Sequence, residues 1–252
     1  MWPSRLYLKD EEDTENPIGF LHLFKDINVL IVSGAILVST TAMALLEPCL
    51  PIWLMDTIHP QKWQIGTVFL PDSVGYLIGT NFFAVPALKY GRYKVAMVAL
   101  FLVGLGCFLV SLFKADFPHK NLFFFFQIPL ATTMWDLVLP HGFLGLGIGV
   151  VDSSLMPLLA VLVDEENDLN GTGSSAYGSV YAIAQTAVSL AYGLGPLLGG
   201  RLSQTYNFPD VMRALGCLNW AYIPVVFLLK RNRQLQENPE DIQHVELKTM
   251  QN

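Results

Sequence analysis

Charge is what this chain has least of. Asp, Glu, Lys and Arg make up 14% of its 252 residues, while 52% are hydrophobic. So thin a supply of charge cannot clothe an ordinary soluble domain of this length, and it points to a chain that lies in lipid. Cysteine is scarce as well. Cys49, Cys107 and Cys217 all sit in apolar runs, where a thiol acts as a small hydrophobe, so no disulfide framework is expected. The five histidines are dispersed, no Cys or His pair has metal-ligand spacing, and no glycine loop carries the lysine of a phosphate cradle. Enzyme chemistry, a metal and a cofactor are therefore not expected. The net charge of -6 offers nothing to a nucleic acid. The first 26 residues are acidic and lack an apolar core, which argues against a cleavable signal peptide.

What the chain has instead is long apolar runs. Six can be marked, from Ile27 to Leu54, Gln64 to Leu88, Val95 to Phe113, Leu137 to Val163, Ala176 to Leu202 and Phe208 to Leu229. At about 1.5 Å of rise per residue, roughly 20 residues cross a ~30 Å hydrocarbon layer, and each run has about that length. The expectation is an all-α polytopic membrane protein with six transmembrane helices. Residues 1–26 form a polar cytoplasmic lead, 27–229 the transmembrane domain, and 230–252 a disordered cytoplasmic tail. An even number of spans puts both ends on one side. Calling that side cytoplasmic leaves only Lys62, Lys114, Lys120, Arg201 and Arg213 outside, as the excess of inside positive charge requires. The sequon at Asn170 then faces the cytoplasm and stays unglycosylated. Residues 114–136, with four consecutive phenylalanines from Phe123 to Phe126 and then Pro129, read as an atypical loop at the membrane interface.

Four spans carry polar residues at helical spacing. Glu47 lies in the later half of the first, and steps of seven back from it reach Thr40 and Ser33, a polar stripe on an oily helix. A carboxylate at that depth is costly, about 2.5–3.5 kcal/mol on insertion scales for a central charge, so it is expected to face the bundle and to have a task. In the fourth span Gly142, Gly145, Gly149, Asp152 and Met156 share one face. Small residues let helices approach closely in lipid, which turns Asp152 toward other helices. Its task is to hold substrate or a proton, or else to bond to a neighbouring hydroxyl such as Ser153 or Ser154. The fifth span aligns Tyr177, Tyr181, Gln185, Ser189 and Tyr192 ahead of a glycine run with Pro196, expected to kink the helix. Tyrosines so aligned either line a wet cavity that tolerates cations or anchor the helix at the interface. The second span offers Phe69, Asp72, Tyr76 and Phe83, with Asp72 expected to be solvated near the luminal end.

The runs LLEPCLPIW (Leu45 to Trp53), KWQIGTVFLPDSVGYLIGTN (Lys62 to Asn81), KYGRYK (Lys89 to Lys94), GVVDSSLMP (Gly149 to Pro157) and YGSVYAIA (Tyr177 to Ala184) resemble the second half of the vesicular monoamine transporters. The run from Gly193 to Gly200 is similar to the antiporter motif of their superfamily, the major facilitators. The resemblance implies the C-terminal six-helix half of a twelve-helix antiporter that loads biogenic amines such as serotonin and dopamine into synaptic or secretory vesicles in exchange for protons. It also implies roles. Glu47 and Asp152 would bind the amine or protons in turn, with Tyr76, Tyr192 and Thr40 lining the cavity and Trp53 and Phe69 forming a luminal gate. Gln185 stands where the family has a proton-coupling aspartate, and an amide does not titrate. Because such carriers bind between their halves, an N-terminal half or a second copy would be needed to close the cavity. A non-transporting chain that pairs with or inhibits a complete carrier, and a carrier of acetylcholine, are the alternatives.

Overall fold

Asp26 opens the first helix as its side chain accepts the Asn28 backbone N–H at 2.8 Å, meeting one of the amide donors that every helix start leaves free. The computed structural model describes residues 26–112, 137–170 and 177–232, and every regular element among them is helical. Helix α1 spans Ile27–Thr57. The second apolar run, expected as one span, is broken into α2 (Lys62–Thr67), α3 (Leu70–Phe82) and α4 (Ala84–Tyr90). Both breaks have a proline nearby. Pro71 begins α3, where its missing N–H costs nothing, and Pro86 cannot donate to the Phe82 carbonyl, so the chain bends by 50° between α3 and α4. Gly91, at φ 101°, a value side chains rarely tolerate, then turns the chain into α5 (Arg92–Ser111).

Helices α6 (Val138–Asn170), α7 (Tyr177–Thr205) and α8 (Phe208–Asn232) complete the bundle. Helix α7 remains a single element through Pro196. Among the described residues five helices are long and apolar enough to cross a membrane, or six when the bent pair counts as one span. One expectation needs correction. The acidic stretch from Asp164 follows the expected end of the fourth span at Val163 and was expected in a loop, but the backbone of α6 stays helical as far as Asn170, in keeping with the good helix propensity of Glu and Leu. The polar lead, the loop 114–136 with its phenylalanines, and the tail beyond 232 lie outside the described residues.

The core is two clusters stacked along the helix axes. One joins the early parts of α1, α5 and α7 to the late parts of α6 and α8, including Ile36, Leu100, Leu155, Ile183 and Val226. The other joins the late parts of α1 and α5 to the early parts of α6 and α8, including Leu50, Val110, Leu144 and Met212. Neighbouring spans therefore alternate in direction, as short connections between membrane helices require. Helix α6 is central, packed between α3 and α5, while α1 is held by α6, α7 and α8. Trp220 joins α8 to α5 by donating to the Phe101 carbonyl at 3.1 Å and stacking on the Phe101 ring. Arg92, at the start of α5, donates at 2.9 Å to the carbonyl of Pro157 in α6.

Candidate functional site

The face of α6 that carries Gly142, Gly145 and Gly149 packs on α3. A Cβ at Gly145 would run into the carbonyl of Asp72, and one at Gly149 would come within 2.5 Å of the Tyr76 carbonyl oxygen. Gly79 of α3 returns the fit, facing the Leu146 carbonyl at 2.6 Å from a would-be Cβ. Backbones this close need glycine on both helices. The result is a short reach between side chains at the edge of the seam. Tyr76 donates its hydroxyl proton to Asp152 Oδ2 at 2.9 Å, a bond between residues 76 positions apart. The neighbouring serines bond elsewhere: Ser153 donates to the Gly79 and Val150 carbonyls, and Ser154 to those of Val150 and Val151. The reading of Asp152 as an acid tied to an adjacent serine is thus corrected, because both serines turn back onto helix carbonyls.

Helix α7 leans on α1 through Gly195 against Ala44 and Gly199 against Leu45 and Cys49. That contact buries Ala184, Ala187 and Ala191 and leaves the opposite face open. Tyr181, Gln185, Ser189 and Tyr192 all lie exposed on it, one face as their spacing requires. Gln185 and Ser189 line an open groove of about 630 Å³ with Thr186, Leu190 and Gly193. Tyr192 stands within electrostatic reach of Glu47, Asp72 and Asp152, and of the Tyr76 hydroxyl. Four helices thus contribute to one polar patch. Glu47 comes from α1, Asp72 and Tyr76 from α3, Asp152 from α6 and Tyr192 from α7.

The stripe on α1 is not uniformly open. Ser33 and Thr40 are buried, and Glu47, one turn pair further on, is exposed. Trp53 lies where the end of α1 meets the start of α8, and Phe69 caps α3 one turn before Asp72. Trp53 stacks on Phe208 at 5.1 Å, and Phe69 meets the ring of buried His141 edge-on at 6.1 Å. The His141 Nδ1–H is directed at the Leu137 carbonyl, 2.9 Å away. Both aromatics pack on the same apolar cluster. Asp72 is the residue the sequence reading undervalued. Expected to be solvated, it is 9% exposed, and its Oδ1 finds no hydrogen-bond partner among the described residues. Its position one turn before Tyr76 was the available signal. Among the described residues no three His, Cys, Asp or Glu side chains converge to hold a metal ion.

Alternating apolar helices, glycine seams and carboxylates gathered on an uncovered side define one six-span unit of a helical membrane transporter. The chain belongs to the Major Facilitator Superfamily, whose sequence profile matches residues 32–250. It is 38% identical over 230 residues to the chromaffin granule amine transporter of Rattus norvegicus, a match that covers 91% of this chain and 39% of that protein. It is 36% identical over 228 residues to the synaptic vesicular amine transporter of Homo sapiens, covering 90% and 39%. Similarity to the vesicular acetylcholine transporter of Drosophila melanogaster is lower, 30% over 233 residues, covering 91% and 36%. The chain spans about two fifths of the length of these relatives.

Proposed function

We propose that this chain supplies the C-terminal half of a proton-coupled antiporter for biogenic monoamines in the membrane of synaptic or secretory vesicles, with both termini in the cytoplasm. The observation that carries the reading is the convergence of Glu47, Asp152, Tyr76 and Tyr192 from four helices on one uncovered side. A protonated amine needs a counter-charge and an aromatic wall, and this patch has both. An amine and a proton that compete for Glu47 and Asp152 are bound in turn, and such exclusive occupancy is what exchange demands. In this scheme Tyr76 orients the Asp152 carboxylate, Thr40 supports the α1 stripe, and Trp53 with Phe69 closes the luminal end. Gln185 lines the groove and, as an amide, does not titrate.

The open side of α3 and α7 also exposes Val74, Leu77, Ile78, Leu190 and Leu194. A covering partner fits there, either an N-terminal six-helix half or a second copy, and the cavity closes between the two. The second reading, a chain that pairs with a complete carrier without transporting, draws on the same exposed face. Uptake of radiolabelled serotonin into acidified vesicles containing the chain decides between them. Uptake that collapses when the proton gradient is dissipated, and that is lost in Glu47→Gln, supports antiport. No uptake, together with co-purification of a complete carrier, moves the function to the pairing form.

A further inference from the structure

We propose that Asp72 is a third acid of this site and that it holds the bound cation jointly with Glu47. The inference rests on the reading of the patch as a cation site and extends it to a residue that neither helical spacing nor resemblance had assigned a role. Asp72 is more than nine-tenths buried, and its Oδ1 has no hydrogen-bond partner among the described residues. A buried carboxylate without a donor is strongly unfavourable as an anion, so the group either holds a proton or meets a positive charge, the two states that exchange requires. The charged group that acts on Asp72 is Glu47, another acid, which adds repulsion to burial. Among the described side chains the basic ones are engaged elsewhere or exposed: Arg92 on the Pro157 carbonyl, Arg213 on Asp210, and Lys89 and Lys94 over Tyr90 and Tyr93. Lys62 and Arg201 are exposed.

The backbone that carries this acid is also held in place. The Asp72 carbonyl lies so close to Gly145 that a Cβ there would overlap it, so the first turn of α3 cannot move away without parting α3 from α6. The α3 dipole favours an acid in this turn, but it supplies no donor to the free oxygen. Tyr192 stands within electrostatic reach of both Asp72 and Glu47, so an ammonium lodged between the two carboxylates also meets an aromatic ring. Such a cation relieves the repulsion and satisfies Oδ1 in one step. The patch then divides into two stations: Asp152, which already has Tyr76 as donor, and the Glu47–Asp72 pair, which takes its donor from the substrate.

The test uses the whole chain in lipid vesicles and the hydrophobic carbodiimide DCCD, which converts membrane-buried carboxyls to stable acylureas that mass spectrometry assigns to single residues. Serotonin hydrochloride is the competing cation. The expected result is labelling of Asp72 that falls at least fivefold as serotonin saturates, in step with protection of Glu47. In Asp72→Asn, the serotonin needed to protect Glu47 should rise at least fivefold. Asp72 that is unlabelled, or labelled but unprotected while Glu47 is protected, overturns the inference and leaves the amine site standing. Absence of protection at Glu47 as well overturns the amine site and this inference with it. The primary readout is made on the unaltered chain, so it does not depend on a variant that fails to fold.

Discussion

Gly149→Ala tests the seam on which the Tyr76–Asp152 pair depends. The added methyl would sit 2.5 Å from the Tyr76 carbonyl oxygen, whereas ordinary contact begins at 3.4 Å. Because the obstacle is backbone, α3 and α6 must part there by the difference, roughly 0.9 Å. That shift is borne by Tyr76 itself and takes its 2.9 Å bond to Asp152 out of hydrogen-bonding range. Overpacking of this kind costs about 1–3 kcal/mol, and the lost bond about 0.5–1.5 kcal/mol. Alanine's better helix propensity returns up to about 1 kcal/mol. The net loss is about 0.5–3.5 kcal/mol, which at about 2–4 °C per kcal/mol lowers the melting temperature by at least ~1 °C and by several degrees in the middle of that range. A thiol-reactive dye reads the melt in detergent, since Cys49 and Cys107 are buried and report when the bundle opens, with Cys217→Ser removing the exposed thiol. A second arm uses Tyr76→Phe. It should lower the melt of the parent but cost less in the Gly149→Ala background, where the bond is already broken. A Gly149→Ala chain that melts at or above the parent temperature, or in which Tyr76→Phe costs its full amount, would refute the argument.

Gly193→Ala is the contrasting case, because nothing lies within 4 Å of its added Cβ. It should leave the melt unchanged or raise it, by up to about 1 kcal/mol of helix propensity. In the folded chain a membrane-permeant maleimide should modify Cys217 quickly and Cys49 and Cys107 only on denaturation, as peptide mass mapping would show. Trp220→Phe keeps a ring beside Phe101 but loses the 3.1 Å bond to its carbonyl. A loss of about 0.5–1.5 kcal/mol is expected from the same melt. Asp26→Ala removes the cap of α1 and should cost about 0.5–2 kcal/mol, seen first as faster amide exchange at Asn28.

Much of the architecture is legible in composition and period. The six apolar runs mark the spans because in lipid a helix must be apolar for its whole crossing, so its length alone signals it. The face of Gly142, Gly145, Gly149 and Asp152 could be read because glycine spacing has one main use between membrane helices, and this face does pack on α3. The breaks at Pro71 and Pro86 were visible residue by residue. They were read through because hydropathy averages over a window while a missing N–H acts at one carbonyl. What one chain cannot display is partnership across it. That Tyr76 reaches Asp152, and that Ser153 and Ser154 do not, depends on how two helices 76 positions apart meet. The depth of Asp72 depends on the same seam. For Glu47 and Gln185 the sequence gives a face, but the neighbour that would cover that face is not among the described helices.

The arrangement of α1 has a consequence in time. The helices that hold it are α6, α7 and α8, and its second-span successors barely touch it. The bond from the Tyr222 hydroxyl to the Ile31 carbonyl joins residues 191 positions apart. At roughly 5–20 residues per second of synthesis, α1 waits about 10–40 s in the membrane before that donor exists. During the wait Ser33 and Thr40, later buried, and the Glu47 carboxylate face lipid or whatever chaperone shields them. Of the described helices α1 is the earliest in sequence, yet this contact forms only when α8 arrives, so slow elongation prolongs the interval in which its polar stripe is incompletely covered.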